Sequence, residues 1–328
     1  MDKEEIKSAI LRRLYDGAFR DDVDYQFNLR SFAEENGIEL GLMNRIYDEL
    51  YDEGFIGNFF AGMVVEPSVK ALVYCETQHI ADQTLVEKQN EVRKKILETC
   101  MIIHEEKLNT YVGGEVVDAI CQRANIVRQD FDNNKAILES SGYMERQGPF
   151  DIWGITQKGR DIVTDLRKKR RRLAEFNNLK ELIGVNRQER GYKLEDLLEE
   201  VIAEEGWKTE KRVHQKGVEF DIVFNRDYNY FQVSCKWEKE TIEADDLDQL
   251  AMRAQEMSCV AAILVSMSGF TEGCIVRTVA KRPIQQVVLF GPVDVESVFQ
   301  NERRFSDLMD EKIKELKHRS KMLIDGNA

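Results

Sequence analysis

No stretch of eighteen apolar residues occurs in this sequence, so no segment is long and apolar enough to cross a bilayer as a helix. Histidine is scarce, at four in 328 residues. The six cysteines (Cys75, Cys100, Cys121, Cys235, Cys259, Cys274) form no C-x-x-C pair and show no short spacing from one another. That excludes the usual structural zinc motifs. Scattered cysteines of this kind read as small buried hydrophobes in a reducing compartment, so the expected location is cytoplasmic. The opening MDKEEIKSAILRRLYDG is amphipathic, carries acids early and lacks a small-residue cleavage site, which argues against a signal peptide. Positive charge is also in short supply, with a formal net charge of -13. The deficit is uneven: 12 basic and 20 acidic residues over 1–100, 14 and 13 over 101–182, and 21 and 27 over 183–328. Net charge bears on solubility and association rather than on fold.

What is present is enough for two or three domains: 328 residues, 42% hydrophobic and 33% charged. Two segments echo each other 88 residues apart. Leu50-Tyr51-Asp52-Glu53-Gly54-Phe55-Ile56 aligns with Leu138-Glu139-Ser140-Ser141-Gly142-Tyr143-Met144. Each reads as a helix end, a glycine in the left-handed cap position, and the start of a strand. Upstream lie helical patterns at Ile6–Tyr15, Leu29–Asn36 and Leu42–Glu53, and in the second copy at Val92–Ile103 and Val116–Ala124. Hairpin signals follow, at Phe59–Val65 with Ala71–Tyr74, and at Tyr143–Arg146 with Ile152–Ile155. Three helices and a small hairpin make the winged-helix arrangement, expected over 1–77 and again over 88–182. The polar, helix-prone stretch Glu76–Lys95 reads as the joint between the copies. Arg160–Leu182 reads as one long helix that carries six consecutive basic residues, Arg167 to Arg172, and Asn186–Arg190 reads as a polar linker.

In a DNA-reading winged helix the third helix enters the major groove. In the first copy that helix offers Arg45 against Asp48, Glu49, Asp52 and Glu53, a face that repels phosphate. This copy therefore reads as a scaffold or protein-contact module. The second copy has Arg123, Arg128, Gln129, Asn133, Asn134 and Lys135 on or near the reading helix and Arg146 and Gln147 at the wing. The expected phosphate contacts are Arg128, Lys135, Arg146 and the run Arg167, Lys168, Lys169, Arg170, Arg171 and Arg172. A charge run is more often a solvated face, and both readings stand.

From about Gly191 the pattern changes. Leu194, Leu197, Leu198, Val201 and Ile202 recur at helical spacing. Strand patterns follow at Glu219–Asn225 and Tyr230–Lys236 around the turn Arg226–Asn229, then a helix at Ala244–Met257. The apolar run Val260–Val265 fits a buried strand. Helix Glu272–Ala280, strand Gln286–Phe290 and helix Phe305–Arg319 complete a mixed sheet covered by helices.

Within that segment GYKLEDLLEEVIAEEGW, GVEFDIVF and YFQVSCKW resemble the catalytic core of Mrr-type members of the PD-(D/E)XK restriction-endonuclease-like superfamily. VAAILVSMSGFTEG and the tail through FSDLMDEKIKEL resemble the later strand, the Ser-Gly-Phe loop and the closing helix. The resemblance spans residues 191–315. It implies an α+β multidomain protein, with two winged-helix domains followed by a restriction-endonuclease-like α/β domain with a mixed central sheet over 190–328. It also implies Mg²⁺ (or Mn²⁺)-dependent cleavage of DNA phosphodiesters in restriction or phage defence, with Asp221 and Glu195 as metal carboxylates and Lys236 as the charge stabiliser. Magnesium favours hard oxygen ligands, and it polarises the phosphate and activates water. Residues two apart on a strand share a face, so 234 and 236 are expected to project together toward Asp221 at one sheet edge, with Glu195 on a neighbouring helix.

The chain departs from the family where a glutamate or glutamine should stand, at Ser234. Serine cannot replace a carboxylate on magnesium, although it could hold a metal-bound water. Gln232 shares the face about 6.6 Å away along the strand, and Glu238 lies one step beyond Lys236, provided the strand extends that far. The alternatives are therefore a rearranged site drawing on Asp221, Lys236, Glu195, Gln232 and Ser234, or a degenerate nuclease fold that binds DNA or a partner without cutting. Asp221 and Lys236 also read as an ordinary cross-strand ion pair, and Ser266, Ser268 and Gly269 as a strand-end turn. DNA is the expected partner, with a homodimer and a protein contact through the acidic first domain as further ones.

Overall fold

The computed structural model describes residues 2–20, 23, 26–58, 63–107, 114–146, 153–181, 187–215, 218–280 and 286–324. They divide into two compact units, 1–166 and 167–328.

The first unit is built twice. Helix α1 (Lys3–Phe19) opens on a capping box in which Asp2 and Glu5 satisfy each other's backbone N–H groups. It is followed by β1 (Phe27–Asn28), α2 (Leu29–Glu35), α3 (Leu40–Asp52), β2 (Ile56–Asn58), β3 (Val64–Pro67) and α4 (Val69–Thr77). Then come α5 (Gln83–Lys107), α6 (Gly114–Ala124), α7 (Arg128–Ser140), β4 (Met144–Arg146), β5 (Trp153–Ile155) and α8 (Gln157–Glu181). Helices α3 and α7 start and end 88 residues apart, as do β2 and β4. The corners repeat bond for bond. Phe55 N–H donates to Leu50 O and Tyr143 N–H to Leu138 O, each at 2.8 Å, across left-handed Gly54 (φ 72°) and Gly142 (φ 74°). Ser68 Oγ bonds Gly54 O at 2.7 Å, and Thr156 Oγ1 bonds Gly142 O at 2.8 Å. Lys70 and Lys158 sit over the rings of Phe55 and Tyr143.

Two expectations change here. Ala71–Tyr74 is helical, not the second strand of a hairpin, because Ser68 caps the helix by accepting from Ala71 N–H and so starts α4. The strand pair is β2 with β3, antiparallel, with Ile56 opposite Pro67; residues 59–62 of the expected strand lie outside the described residues. The helix-prone joint Glu76–Lys95 is mostly helix, shared between α4 and α5.

The second unit begins inside α8 and continues with α9 (Arg187–Glu204), so Arg187–Arg190 belong to a helix rather than to a linker. Next are β6 (Lys208–Gln215), β7 (Val218–Arg226), β8 (Asn229–Lys236), α10 (Ala244–Glu256), β9 (Ala261–Ser266), α11 (Glu272–Ala280), β10 (Gln286–Phe290), α12 (Pro292–Phe299) and α13 (Phe305–Ile324). The sheet order is β10-β9-β8-β7-β6, parallel across β10-β9-β8 and antiparallel across β8-β7-β6. Asp227 (φ 51°) and Tyr228 (φ 65°) are both left-handed, which is the two-residue turn that matches the twist of a β7–β8 hairpin. Strand β9 is buried at every position, as expected for a central parallel strand.

Two apolar layers sandwich this sheet. Ile222, Phe224, Phe231, Val233, Ile263 and Phe290 pack with α9, α12, α13 and the Phe176–Leu179 turn of α8. Ala262, Leu264 and Val287 pack with α10 and α11. Among the described residues no helix is long and apolar enough to cross a membrane.

Candidate active site

The alternation of the two apolar layers assigns the faces. Ile222 and Phe224 of β7, and Phe231, Val233 and Cys235 of β8, belong to the α9 side. Asp221, Gln232, Ser234 and Lys236 therefore share the other face, the one α10 and α11 cover. The hydrogen bonds give the in-plane directions. Val260 N–H donates to Tyr230 O at 2.8 Å and Met267 N–H to Lys236 O at 3.1 Å. Even-numbered residues of β8 thus turn their backbone toward β9, and odd-numbered ones toward β7.

The paired register of β7 with β8 runs from Arg226↔Asn229 only to Ile222↔Val233. Beyond it, Cys235 N–H, aimed at β7, donates to Asp221 Oδ2 at 2.8 Å. A carboxylate takes the place of a ladder carbonyl, and the two strands fork. Side chains from both faces reach the opening: Asp221 and Lys236 from the sheet, and Glu195, Tyr192, Gly191 and Gln188 from the first half of α9. With Cys235, Trp237 and Glu238 they line a cleft of about 410 Å³. The cluster thus sits at the ends of two interior strands, not at an edge of the sheet, because β9 and β6 flank them.

Glu195 is 5% exposed. Its Oε2 lies 3.6 Å from Arg212 Nε, while Arg212 Nη2 donates to Asp196 Oδ1 at 3.1 Å. Arg212 is left-handed (φ 48°) in the middle of β6, a conformation uncommon for a side-chain-bearing residue. Burial holds the Cys235 thiol well above the ordinary range, and the charges of Asp221 and Glu195 push it further up. It stays protonated and is a packing residue, not a nucleophile.

The remaining expected site residues are placed differently. Ser234 and Gln232 are buried, at 7% and 1% exposure, and do not line the cleft. Gln232 is central in the sheet, opposite Val223 on one side and Ala262 on the other. Strand β8 stops at Lys236, so Glu238 lies past its end, yet it lines the cleft. Ser266, Ser268 and Gly269 form a turn: Ser266 Oγ donates to Gly269 O at 2.9 Å and accepts from Ser268 N–H.

Asp221 and Glu195 are carboxylates in the cleft that a divalent ion could meet. Asp221 has one oxygen committed to a backbone N–H, and Glu195 stands beside a guanidinium. Among the described residues no three His, Cys, Asp or Glu side chains converge on a metal position. That is not a dedicated cage. It suits magnesium, which is commonly held by one or two carboxylates, with water and substrate phosphate supplying the rest.

The expected nucleic-acid residues are widely engaged. Arg172 is 3% exposed and ion-paired with Glu204 of α9, and Arg171 bonds Glu175 and Glu200. Arg167, Lys169 and Arg170 also have partners, and Lys168 is exposed. Arg128 pairs with Asp118 and Asp132, both at 3.1 Å. Lys135 lies 4.7 Å, and Arg146 6.0 Å, from the Trp153 ring centroid. Helix α7, the expected reading helix, packs against α1, α4, α5 and α6. Asn133 donates to Ala18 O at 2.7 Å and Asn134 to Gln89 Oε1 at 2.7 Å. Its asparagines are therefore consumed inside the fold. The sequence had no signal for this, since the contacts are made by residues 41 to 115 positions away.

Comparison with known proteins bears on the second unit. None of the curated proteins matches the chain. Two solved structures are similar. One, titled a protein of unknown function, AF1548, has 16% identity and a TM-score of 0.27, covering 37% of this chain and 66% of that one. The other, protein VC1899 from Vibrio cholerae, has 12% identity and a TM-score of 0.26, covering 65% and 51%. The chain thus spans just under two thirds of the first and about half of the second, and TM-scores this low fix neither fold nor function. Residues 186–292 match the family model Mrr_cat, described as restriction endonuclease. That segment contains the fork, the cleft and every residue that lines it, and it is similar to restriction-endonuclease-like, nuclease-type domains.

Proposed function

We propose that the chain is a DNA-directed phosphodiesterase in which two winged-helix modules present a magnesium-dependent restriction-endonuclease-like domain to its substrate. The observation that carries this reading is the meeting of Asp221, Lys236 and Glu195 in one cleft at the β7–β8 fork. Asp221 and Glu195 would hold Mg²⁺ or Mn²⁺, which when bound supplies Lewis acidity at the scissile phosphate. Lys236 offsets the negative charge that develops on the phosphate as water attacks phosphorus and the ester oxygen leaves. The Cys235 N–H would orient the Asp221 carboxylate before substrate arrives. Exposed Lys168 on α8 would be a contact to the DNA backbone. Restriction or phage defence is the setting the family resemblance suggests.

The test is a cleavage assay of the full chain with magnesium or manganese on supercoiled, linear and single-stranded DNA. Nicking is expected in the wild type, with a loss of about 100-fold or more in Asp221→Asn and in Lys236→Ala. Equal rates in all three proteins would remove these residues from the chemistry.

A second reading has its own observation: Ser234 is neutral and buried where the family carries a longer polar ligand. On that reading the domain binds DNA without cutting it. Ser234→Glu is then the informative variant. A gain of nicking that Lys236→Ala removes identifies a lapsed nuclease, and inactivity of every variant with retained DNA binding identifies a binding module.

A further inference from the structure

Tyr192 is held in a way that the reaction itself does not require. It sits on α9 three residues before Glu195, a spacing that places both on one helix face about 5–6 Å apart. Its phenol oxygen accepts a hydrogen bond from Gln188 Nε2 at 3.0 Å. Its backbone carbonyl accepts from Arg212 Nη2 at 3.4 Å, and the same guanidinium lies 5.0 Å from its ring centroid. Yet the residue is 38% exposed. Among the described residues it joins none of the hydrophobic clusters. It does line the cleft, together with Trp237, whose ring carries Arg190 at 5.6 Å. An ordinary surface tyrosine is mobile and points to water. This one has its hydroxyl and its ring engaged, is partly open to solvent, and shares a helix face with Glu195.

We propose that Tyr192 is a stacking platform for an unpaired nucleobase, so that the strand to be cut enters the cleft single-stranded rather than as intact duplex. Aromatic rings backed by guanidinium groups are what sequence-tolerant single-strand sites use, because every base has a π-face. In a duplex those faces are buried in the stack, and exposing one costs unpairing and unstacking. The cleft of about 410 Å³ is of nucleotide size. Tyr192 lies so close to Glu195 that a base on its ring belongs to a nucleotide adjoining the scissile phosphate. Arg212 backs the ring and holds it in place.

This inference rests on the nucleic-acid reading above, and the experiment separates the two. Fluorescence anisotropy of the full chain is measured with calcium in place of magnesium, on four probes: a single-stranded DNA oligonucleotide, the same strand with abasic sites, its duplex, and the RNA of the same sequence. Single strands are expected to bind at least about tenfold tighter than duplex. Tyr192→Leu should weaken the base-bearing single strands, DNA and RNA alike, by about tenfold and leave the abasic strand unchanged. Tyr192→Phe, which keeps the ring and loses the Gln188 bond, should restore most of the affinity. Duplex binding as tight as single-strand binding, or equal loss on the abasic strand, overturns the stacking role while leaving the DNA reading intact. Absence of binding to all four probes overturns both.

Discussion

The two halves of the first unit are the same corner built twice with different consequences. Lys70 and Lys158 cap equivalent carbonyls and cover equivalent rings. The helices they stand on then diverge. Helix α4 stops after nine residues, with left-handed His79 just beyond it, whereas its counterpart α8 runs for 25 and carries the basic run into the second unit. The third helices diverge too. Helix α3 faces water with Glu49 and Glu53, held by Lys3 and Lys7. Helix α7 is locked inside by Arg93, which grips Glu76 with both terminal nitrogens and Asn134 with Nε at 2.8 Å. Tyr15 Oη completes the network by donating to Glu76 at 2.7 Å. A repeat with one framework can thus spend one copy on surface and the other on an interior joint, and the choice rests on a few polar side chains.

The largest expected effect comes from breaking that joint. Arg93→Ala leaves Glu76 with the Tyr15 hydroxyl but without its cationic partner, in a site where both side chains are nearly buried. A cost of about 3–5 kcal/mol is expected. It should be read by urea unfolding with hydrogen exchange in peptides from α5 and α7, with peptides from β8 and β9 unaffected. Glu5→Ala, at the equivalent position of the first copy, removes only the N-terminal capping partner of α1 and should cost about 1 kcal/mol.

A smaller asymmetry is steric. The position that is Ala71 in α4 is Gly159 in α8. A Cβ on Gly159 would meet Tyr143 O at 2.3 Å and Ile155 Cγ1 at 2.7 Å. Gly159→Ala should therefore destabilise the first unit by about 1–3 kcal/mol, while Ala71→Gly should cost about 1 kcal/mol through helix propensity. Thermal unfolding of the pair checks the sign of the difference, and equal costs would mean the second copy closes no tighter than the first. Smaller still, and the same in both copies, is the cap. Gly54→Ala and Gly142→Ala each place a side chain at positive φ with nothing nearby to clash, at about 1–2 kcal/mol. A clear inequality there would show that the corners are not equivalent.

At the surface, Arg128→Ala should change stability by no more than about 1 kcal/mol, since its ion pairs with Asp118 and Asp132 are exposed. If α7 reads DNA despite its packing, that variant should still weaken DNA binding at low salt, and an unchanged affinity assigns α7 to structure.

Much of this was legible in the sequence, and the exceptions have causes. The repeat spacing, the glycine caps and helices α3 and α7 follow from local pattern. Strand β6 was missed because Lys208, Glu210 and Lys211 make it look like a polar loop. Charged side chains are how an edge strand is kept from pairing with other chains. Helix α4 was mistaken for a strand because Val69, Leu72, Val73 and Tyr74 form a short apolar run, for which periodicity is ambiguous. Helix α12 was missed because its eight residues offer too few turns to set a period, although Pro292 in its first turn marks the start.

For the site, the sequence by itself determined that Asp221, Gln232, Ser234 and Lys236 lie on one face. Strand alternation is local and a two-residue hairpin turn fixes the register. It also determined the absence of a carboxylate at 234. Only the tertiary structure decided which of those four reach solvent. That depends on where the β7–β8 ladder ends and on the helices that cover the face, and both arise from contacts between residues far apart in the chain. The same is true of Tyr192 and Glu238, whose part in the cleft comes from the fork, and of Asn134 and Arg172, whose polar groups are satisfied by partners no local pattern could identify.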